Sequence, residues 1–330
     1  MASSPASLSS PSPGPEYLIL HFWSTQGGFG NRFQALLKVL QERGKVTELR
    51  TPLALVTALL RGRFWRRGAH ILLFTSLMAP VVVPLKLLCP GLKAFYFVRG
   101  DEITWAQHHK RRARAILACV FQRGLNAVRC MFVFVSRDLE SLFEKRLGTI
   151  HRKAFVPNTL GHQLPPIRPF DGRVTLVGDF NTVKNIEVAL TLLERGAFPV
   201  DLYGNTSLPS QWKRPWLTAH GVVSNLPECL EHSTMVVFTS STEGFPNVLL
   251  DALKAGCAVL VPFCFPFEHL PISRAWRFAL SNASANEGPD SLEQVLSYHY
   301  SNRHDFKSDN KDLISLVESD WKDHVWQALC

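Results

Sequence analysis

Short apolar runs alternate with amphipathic segments along most of the chain. The apolar runs are bounded by turn residues and predict strands at 16–23, 71–76, 93–100, 130–136, 153–158, 173–178, 198–204, 235–240 and 258–262. Apolar residues spaced three and four apart predict helices at 27–44 (with its Gly-rich turn), 112–125, 185–196 and 246–256. Because alternating strands and helices are typical of parallel sheets with right-handed crossovers, the pattern predicts an α/β fold.

The alternation stops once, at a Pro-rich connector spanning residues 159–172. A chain of 330 residues exceeds the roughly 250–300 at which one hydrophobic core stops growing. We therefore expect two Rossmann-like domains, 15–165 and 166–330, facing across a cleft, and the last helix is a candidate for crossing back to the first domain. The Ser/Pro-rich start, 1–14, is expected to be a disordered tail, and it lacks the features of a signal peptide.

Two features bear on cellular location. The apolar segment 70–91 is interrupted by Pro80 and Pro84 and meets Lys86, so it falls short of the roughly 20 apolar residues of a spanning helix. It predicts a strand and then a short helix that begins near Pro80. The seven cysteines include no C-x-x-C pair, which argues against a disulfide framework or a zinc site and favours a reducing cytoplasm.

Positive charge is concentrated in the first half of the chain. Residues 1–165 carry a balance of +15 and residues 166–330 a balance of −6. Two basic runs, 61–68 and 108–115, are either solvated surface or a contact with an anionic partner. No nucleic-acid module is recognisable, so the expected partner is an anionic membrane surface on the cytoplasmic side. The residues expected to meet it are Arg61, Arg63, Arg66, Arg67, Lys110, Arg111, Arg112 and Arg114, with the aromatic residues Phe64 and Trp65 inside the first run.

The most informative turn follows the strand at 235–240. Glu243 precedes a Gly-Phe-Pro sequence, and Asp251 stands eight residues further on, inside the predicted helix. Pro246 suits the first helical position and Gly256 the position just past the end. A helix N-terminus favours bound phosphate, so the backbone N–H groups of Phe245, Asn247 and Val248 are candidate phosphate donors. Spacing alone leaves the alternative that Glu243 only caps the helix.

Several motifs resemble glycosyltransferase family 4 ("group 1"), whose members are retaining enzymes of GT-B fold. "EGFPNVLLDALKAG" (243–256) is similar to that family's acid-x7-acid motif. "FVFVSRDL", "FVPNTL" and "TLVGDFNTVKNIEVAL" are similar to further family landmarks, in the family's order along the chain. The resemblance covers most of the chain from Gly27 onward. It implies transfer of a sugar from a nucleotide-sugar, the co-substrate, to a glycan or lipid-linked acceptor with retention of configuration, without metal or other cofactor, in cell-envelope polysaccharide or glycolipid synthesis.

The resemblance also assigns roles to residues. Glu243 would hold hydroxyls of the donor sugar, Asp251 the nucleotide ribose, and Lys184 would neutralise the departing diphosphate. Residues 15–165 would be the acceptor side and 166–330 the nucleotide-sugar side. The expected catalytic residues are Glu243, Lys184 and Arg99, and the expected donor-binding residues are Gly27, Gly28, Gly178, Lys184, Asn225, Glu243, Gly244, Phe245, Pro246, Asn247, Val248 and Asp251.

Three positions depart from the family pattern. Asp251 replaces the usual second Glu, Asp179 stands where many members have an arginine, and Arg99 stands where many have a histidine. Because Arg is always charged, Arg99 cannot act as a base. These departures keep open a non-catalytic sugar-nucleotide-binding protein. An NAD(P)-dependent Rossmann oxidoreductase is a second alternative, although the glycines at 27–30 do not follow the G-x-G-x-x-G spacing. "GGFGNR" is also similar to the opening of some fucosyltransferases of other families.

Overall fold

The structure is a computed structural model of the full chain. It describes residues 15–20, 28–50, 69–180, 183–194, 198–204, 208–264, 266–280 and 291–330, together with a few single residues between 54 and 62. Two compact units share these residues. Met1–Phe97 with Phe121–Met131 form one unit, and Val98–Val120 with Phe132–Cys330 form the other.

The first of two six-stranded sheets has the strand order β2-β1-β3-β4-β5-β6. Its strands are β1 (Glu16–Leu20), β2 (Lys45–Leu49), β3 (Ala69–Leu73), β4 (Lys93–Val98), β5 (Met131–Phe134) and β6 (Lys153–Phe155). The registers described between neighbouring strands are all parallel. The central strands β1 and β3 are buried along their whole length, as expected for parallel strands covered on both faces.

The second sheet has the strand order β12-β11-β10-β7-β8-β9. Its strands are β7 (Val174–Val177), β8 (Val200–Tyr203), β9 (Leu217–Gly221), β10 (Met235–Val237), β11 (Ala258–Pro262) and β12 (Arg277–Phe278). These pairs are parallel as well. The chain therefore has the predicted GT-B architecture of two Rossmann-like sheets with helices.

The α-helices follow the strands in the order expected for crossover connections. Those whose bounds lie in the described ranges are α1 (Gly28–Gln41), α2 (Ala79–Leu88), α3 (Glu102–His108), α4 (Arg112–Ala127), α5 (Arg137–Leu147), α6 (Ile186–Leu193), α7 (Leu226–Cys229), α8 (Asn247–Lys254), α9 (Leu292–Asn302), α10 (Phe306–Asp309), α11 (Lys311–Glu318) and α12 (Trp321–Leu329). The apolar segment 70–91 forms β3 and then α2, as predicted, with Pro80 in the first turn of α2. No helix in the described ranges is long and apolar enough to cross a membrane.

Several elements differ from the prediction in extent. β10 ends at Val237, so residues 238–240 belong to the loop that follows it. Pro246 is the N-cap of α8, so Asn247, and not Pro246, is its first residue. Gly256 follows the helix with a φ of 76°, in the left-handed region that favours glycine. Gly27 and most of the basic run 61–68 lie outside the described residues.

Candidate functional site

The candidate site forms where the order of the second sheet reverses. The chain adds β8 and β9 on one side of β7, and β11 and β12 on the far side of β10. β7 and β10 lie side by side, with Val237 opposite Leu176. The loops that leave these two strands are therefore neighbours, at the position where open α/β sheets bind ligands. One loop carries Lys184 and the other carries Glu243.

Lys184 and Glu243 form an ion pair, in which the ammonium group of Lys184 donates to Oε1 of Glu243. The side chains are 29% and 17% exposed, so both charges are partly shielded from water and reachable from it. Glu243 lies outside α8, as the sequence predicted, and in this structure its partner is a lysine. The two proposed catalytic charges are thus in direct contact.

Hydrogen bonds tie the two loops together behind this pair. The backbone N–H of Ser241 donates to the carbonyl of Val183 over 2.8 Å, and the Thr239 hydroxyl donates to the carbonyl of Lys184 over 2.9 Å. The Asn185 side chain donates back to the carbonyl of Thr239 over 3.2 Å. Asn185 has a φ of 52°, a left-handed conformation that asparagine tolerates. These contacts set the position of Lys184 from the backbone of the neighbouring loop.

Gly178 lets the Lys184 side chain lie flat against the end of β7. A Cβ at Gly178 would approach Cγ and Cβ of Lys184 to 3.0 and 3.1 Å. A side chain there would push Lys184 away from its present position. The space that its missing side chain leaves is occupied by Lys184, and the donor-binding role of Gly178 stays a prediction. The next residue, Asp179, is exposed.

Gly244 lies against the backbone of Arg99. A Cβ at Gly244 would collide with the carbonyl oxygen of Arg99 and would come within 3.2 Å of the Val135 side chain. Only glycine fits between Glu243 and Phe245 in this arrangement. The acidic turn is therefore positioned by a segment almost 150 residues earlier in the chain, at the end of β4.

Asn158 links three of the predicted residues. Its side-chain amide donates to the carbonyl of Phe245 and to Oδ1 of Asn247, each over 3.2 Å. Its Oδ1 accepts a hydrogen bond from the guanidinium of Arg99 over 3.4 Å. Asn158 is only 4% exposed, so these bonds are shielded from water. Asn158 belongs to the landmark "FVPNTL" but was not predicted as a site residue.

The remaining predicted residues are less directly connected. Val248 lies in the first turn of α8, which contains no acidic residue, and Asp251 lies in the second turn. Gly28 begins α1, in the other compact unit. Asn225 is the N-cap residue of α7, and its amide donates to Glu228 over 2.9 Å. No described contact tests the roles assigned to these four residues.

A cavity of about 290 Å³ adjoins the acidic turn, lined in part by Gly244, Phe245 and Pro246. Asp138 and His269 also line this cavity, and Oδ1 of Asp138 accepts the backbone N–H of His269 over 3.0 Å and contacts Nδ1 of the same residue at 3.1 Å. Burial raises the pKa of the Asp138 carboxyl, against the lowering effect of these His269 contacts.

Asp138 and His269, together with Glu268, are spaced closely enough to hold a metal ion, and they form the one such group in the described ranges. Ligand atoms of Asp138, Glu268 and His269 lie within 4.8 Å of one another. Hydrogen bonding between Asp138 and His269 already accounts for their approach. The loop that carries Glu268 and His269 is fastened by the buried Arg277, which donates to the carbonyls of Phe267 over 2.8 Å and of Leu270 over 2.6 Å.

Residues 171–266 match the family model of group 1 glycosyl transferases. This segment contains Gly178, Lys184 and Glu243. This part of the chain is thus similar to group 1 glycosyl transferases. Among curated proteins, none matches the sequence.

Three solved structures share the fold at low sequence identity. The sucrose-phosphate synthase from Thermosynechococcus elongatus has a TM-score of 0.70 at 12% identity, and the match covers 95% of this chain and 97% of that one. The lipopolysaccharide outer core galactosyltransferase WaaB has a TM-score of 0.63 at 13% identity, covering 96% and 99%. An S. aureus TarM variant in complex with Fondaparinux, α-GlcNAc-glycerol and UDP has a TM-score of 0.59 at 13% identity; the match covers 85% of this chain but only 59% of TarM.

Proposed function

We propose that this protein is a glycosyltransferase that moves a hexose from a nucleotide-sugar to a glycan or lipid-linked acceptor, with retention of configuration. It would act in the synthesis of a cell-envelope polysaccharide or glycolipid, at the cytoplasmic face of an anionic membrane and without a metal cofactor. The observation that carries the proposal is the Lys184–Glu243 ion pair at the reversal point of a sheet whose sequence matches group 1 glycosyl transferases.

The chemistry follows from the charges at this site. When the bond between the sugar and the diphosphate breaks, the bonding electron pair leaves with the diphosphate. A lysine and the N-terminus of α8 are suited to stabilise that negative charge. Glu243, released from Lys184 by the competing diphosphate, is an acceptor for sugar hydroxyls. The ion pair thus joins two groups that are proposed to act on different parts of the donor.

The similar structures support this assignment without deciding its details. WaaB is described as a galactosyltransferase, and the TarM variant was solved with UDP. Asp179 and Arg99 favour the second candidate, a sugar-nucleotide-binding protein without turnover, because an exposed acid stands near the proposed phosphate site and Arg99 cannot serve as a base.

The first experiment identifies the donor. Purified protein is screened by thermal shift with UDP-, GDP-, ADP- and TDP-sugars, and the best ligand is then offered in labelled form for transfer or hydrolysis. Stabilisation with turnover supports the enzyme. Stabilisation without turnover supports the non-catalytic binder, and no stabilisation by any nucleotide-sugar contradicts both.

Variants then assign the roles. Glu243→Ala should lower transfer by roughly 10²-fold or more, in the range found for single electrostatic contacts in active sites. Lys184→Ala should both slow transfer and weaken binding of the nucleoside diphosphate in calorimetry. Arg214→Ala is the matched control, because Arg214 pairs with Glu194 over 3.1 Å on the surface, where both side chains are more than 40% exposed. Transfer at the wild-type rate by Glu243→Ala would refute its assignment, and unchanged diphosphate affinity in Lys184→Ala would make Lys184 a structural residue.

A further inference from the structure

Helix α4 presents a row of apolar side chains to solvent. Ile116, Leu117 and Val120 are 65%, 47% and 55% exposed, and Ala113 before them is exposed as well. Their spacing of three and four residues places all four within an arc of about 100° on one face of the helix. We call these four residues the α4 stripe.

The stripe is not needed to hold the helix in place. The opposite face of α4 supplies Ala115 and Ala118, which are buried in a small core with Ile103 and Ala106 of α3. The first half of α4 is therefore apolar on two opposite faces, only one of which packs against the protein. Exposed large apolar residues scattered singly are ordinary, whereas a continuous row of them marks a surface that contacts something else.

Positive charge surrounds this stripe. At about 100° per residue, Arg112 and Arg114 lie on either side of it. Lys110, Arg112 and Ile116 also line one open surface depression, so cationic and apolar groups face the same space. Between Glu102 and Asp138 the sequence contains no acidic residue and seven basic ones. A partner for this face must therefore be apolar at its centre and anionic around it.

An aromatic residue lies at the N-terminal end of the same surface. Trp105 is 36% exposed, and the guanidinium carbons of Arg111 and Arg114 lie 5.4 and 4.8 Å from the centre of its ring. The His109 ring stacks on it with centroids 4.3 Å apart. A tryptophan with cations over its ring is suited to the boundary between lipid headgroups and acyl chains.

We propose that the α4 stripe inserts into the headgroup region of an anionic lipid bilayer. Lys110, Arg111, Arg112 and Arg114 would then bind lipid phosphates. An apolar stripe edged by arginines is the arrangement of helices that lie in the membrane interface. A second copy of the chain fits less well, because two such surfaces would bring their arginines together. The proposal deepens the membrane contact proposed above by naming the element that makes it, and it needs no glycosyl transfer to be tested.

The test uses the full-length protein and sedimentation with two kinds of vesicle. One kind is phosphatidylcholine alone, and the other contains about one third phosphatidylglycerol, at low and at high salt. We expect binding to the anionic vesicles only, weakening as salt rises, because charge attraction is screened over about 8 Å at physiological ionic strength.

The stripe variant combines Ile116→Ser, Leu117→Ser and Val120→Ser. It should bind anionic vesicles at least about tenfold more weakly, because each large apolar side chain transferred from water contributes a factor of several to the partition. The matched control is Val222→Ser, at a side chain that is 76% exposed elsewhere on the surface, and it should bind like the wild type. A charge variant, Arg112→Gln with Arg114→Gln, should weaken binding at low salt and change it little at high salt.

These substitutions are on the surface, so circular dichroism and the urea midpoint should stay unchanged and show that the variants fold. Vesicle binding by the stripe variant equal to that of the wild type would overturn the proposal. So would equal binding of the wild type to neutral and anionic vesicles, or no binding to either. Vesicle binding that persists in the inactive Glu243→Ala variant would separate this proposal from the proposed enzymatic function.

Discussion

Replacing Gly244 with alanine adds a single methyl group at the point where the acidic turn meets the backbone of Arg99. The new Cβ would overlap the carbonyl oxygen of Arg99 and would lie 2.8 Å from its carbonyl carbon. These are backbone atoms and cannot rotate away, so one of the two segments must move. The alternative direction is limited by the Val135 side chain, which the same Cβ would approach to 3.2 Å.

The substitution should lower both the stability and the transfer rate. Overpacking a well-packed site typically costs about 1–3 kcal/mol of stability, and contact with rigid backbone favours the upper half of that range. Because Glu243 is the preceding residue, a displacement of the turn would also move its carboxylate. A misplacement of about 1 Å in an active site can lower the rate by roughly 10²-fold.

The assay combines urea unfolding with the donor-dependent assay established for the wild type. Gly100→Ala is the matched control, because it lies next to Arg99 in the chain and a Cβ there would meet nothing within 4 Å. We expect Gly244→Ala to lose about 2 kcal/mol or more of unfolding free energy, with Gly100→Ala within about 1 kcal/mol of the wild type. If Gly244→Ala unfolds at the wild-type urea midpoint and keeps wild-type activity, the reasoning from the Arg99 contact is wrong.

Two further predictions concern the buried residues that support the second sheet. Burial lowers the pKa of Arg277, against the raising effect of Asp138 and Glu268, and its guanidinium donates to the carbonyls of Phe267 and Leu270. Arg277→Met should lower the free energy of unfolding in urea by about 2–4 kcal/mol, because these carbonyls lose their donors. The exposed control Arg214→Met should change it little. The buried His299 ring stacks on Trp276 with centroids 3.8 Å apart, and burial lowers the pKa of His299. The folded state therefore favours the neutral ring, and its contribution to the stability of the fold is present above the unfolded pKa of about 6.5 and is lost as pH falls below that value. The urea midpoint should therefore fall more between about pH 7.5 and pH 5 in the wild type than in His299→Phe, and an equal fall in both would exclude His299 as the cause.

The central strands were predictable because burial on both faces leaves a continuous apolar run that needs no partner to be recognised. β1, β3 and β11 are such runs, and each was found near its predicted position. The edge strands β2 and β9 were missed, because most of their residues are partly or fully exposed and the sequence there shows no apolar run. The short helix α3 was missed for a similar reason, since fewer than two turns give little periodicity.

The local sequence predicts the backbone around Glu243 but not the contact that its side chain makes. Pro246 before Asn247 and Gly256 after Ala255 mark the ends of α8. Each suits the backbone conformation at its end of the helix, which depends only on residues nearby in the sequence. The position of Glu243 just outside that helix follows from the same local rules. Its pairing with Lys184 does not, because the two residues are 59 positions apart and meet only when β7 and β10 become neighbours.

For helix α4 as well, the sequence predicted the local conformation but not the packing. Its apolar spacing predicted a helix, and its basic residues predicted a contact with anions. The sequence could not say which of two opposite apolar faces packs inward, because both have the helical period. The packing of Ala115 and Ala118 against α3 decides it, and leaves Ile116, Leu117 and Val120 exposed. Local conformation depends on neighbours along the chain, so it could be predicted from the sequence. The surfaces that pack together depend on contacts between distant segments, so only the tertiary structure decided them.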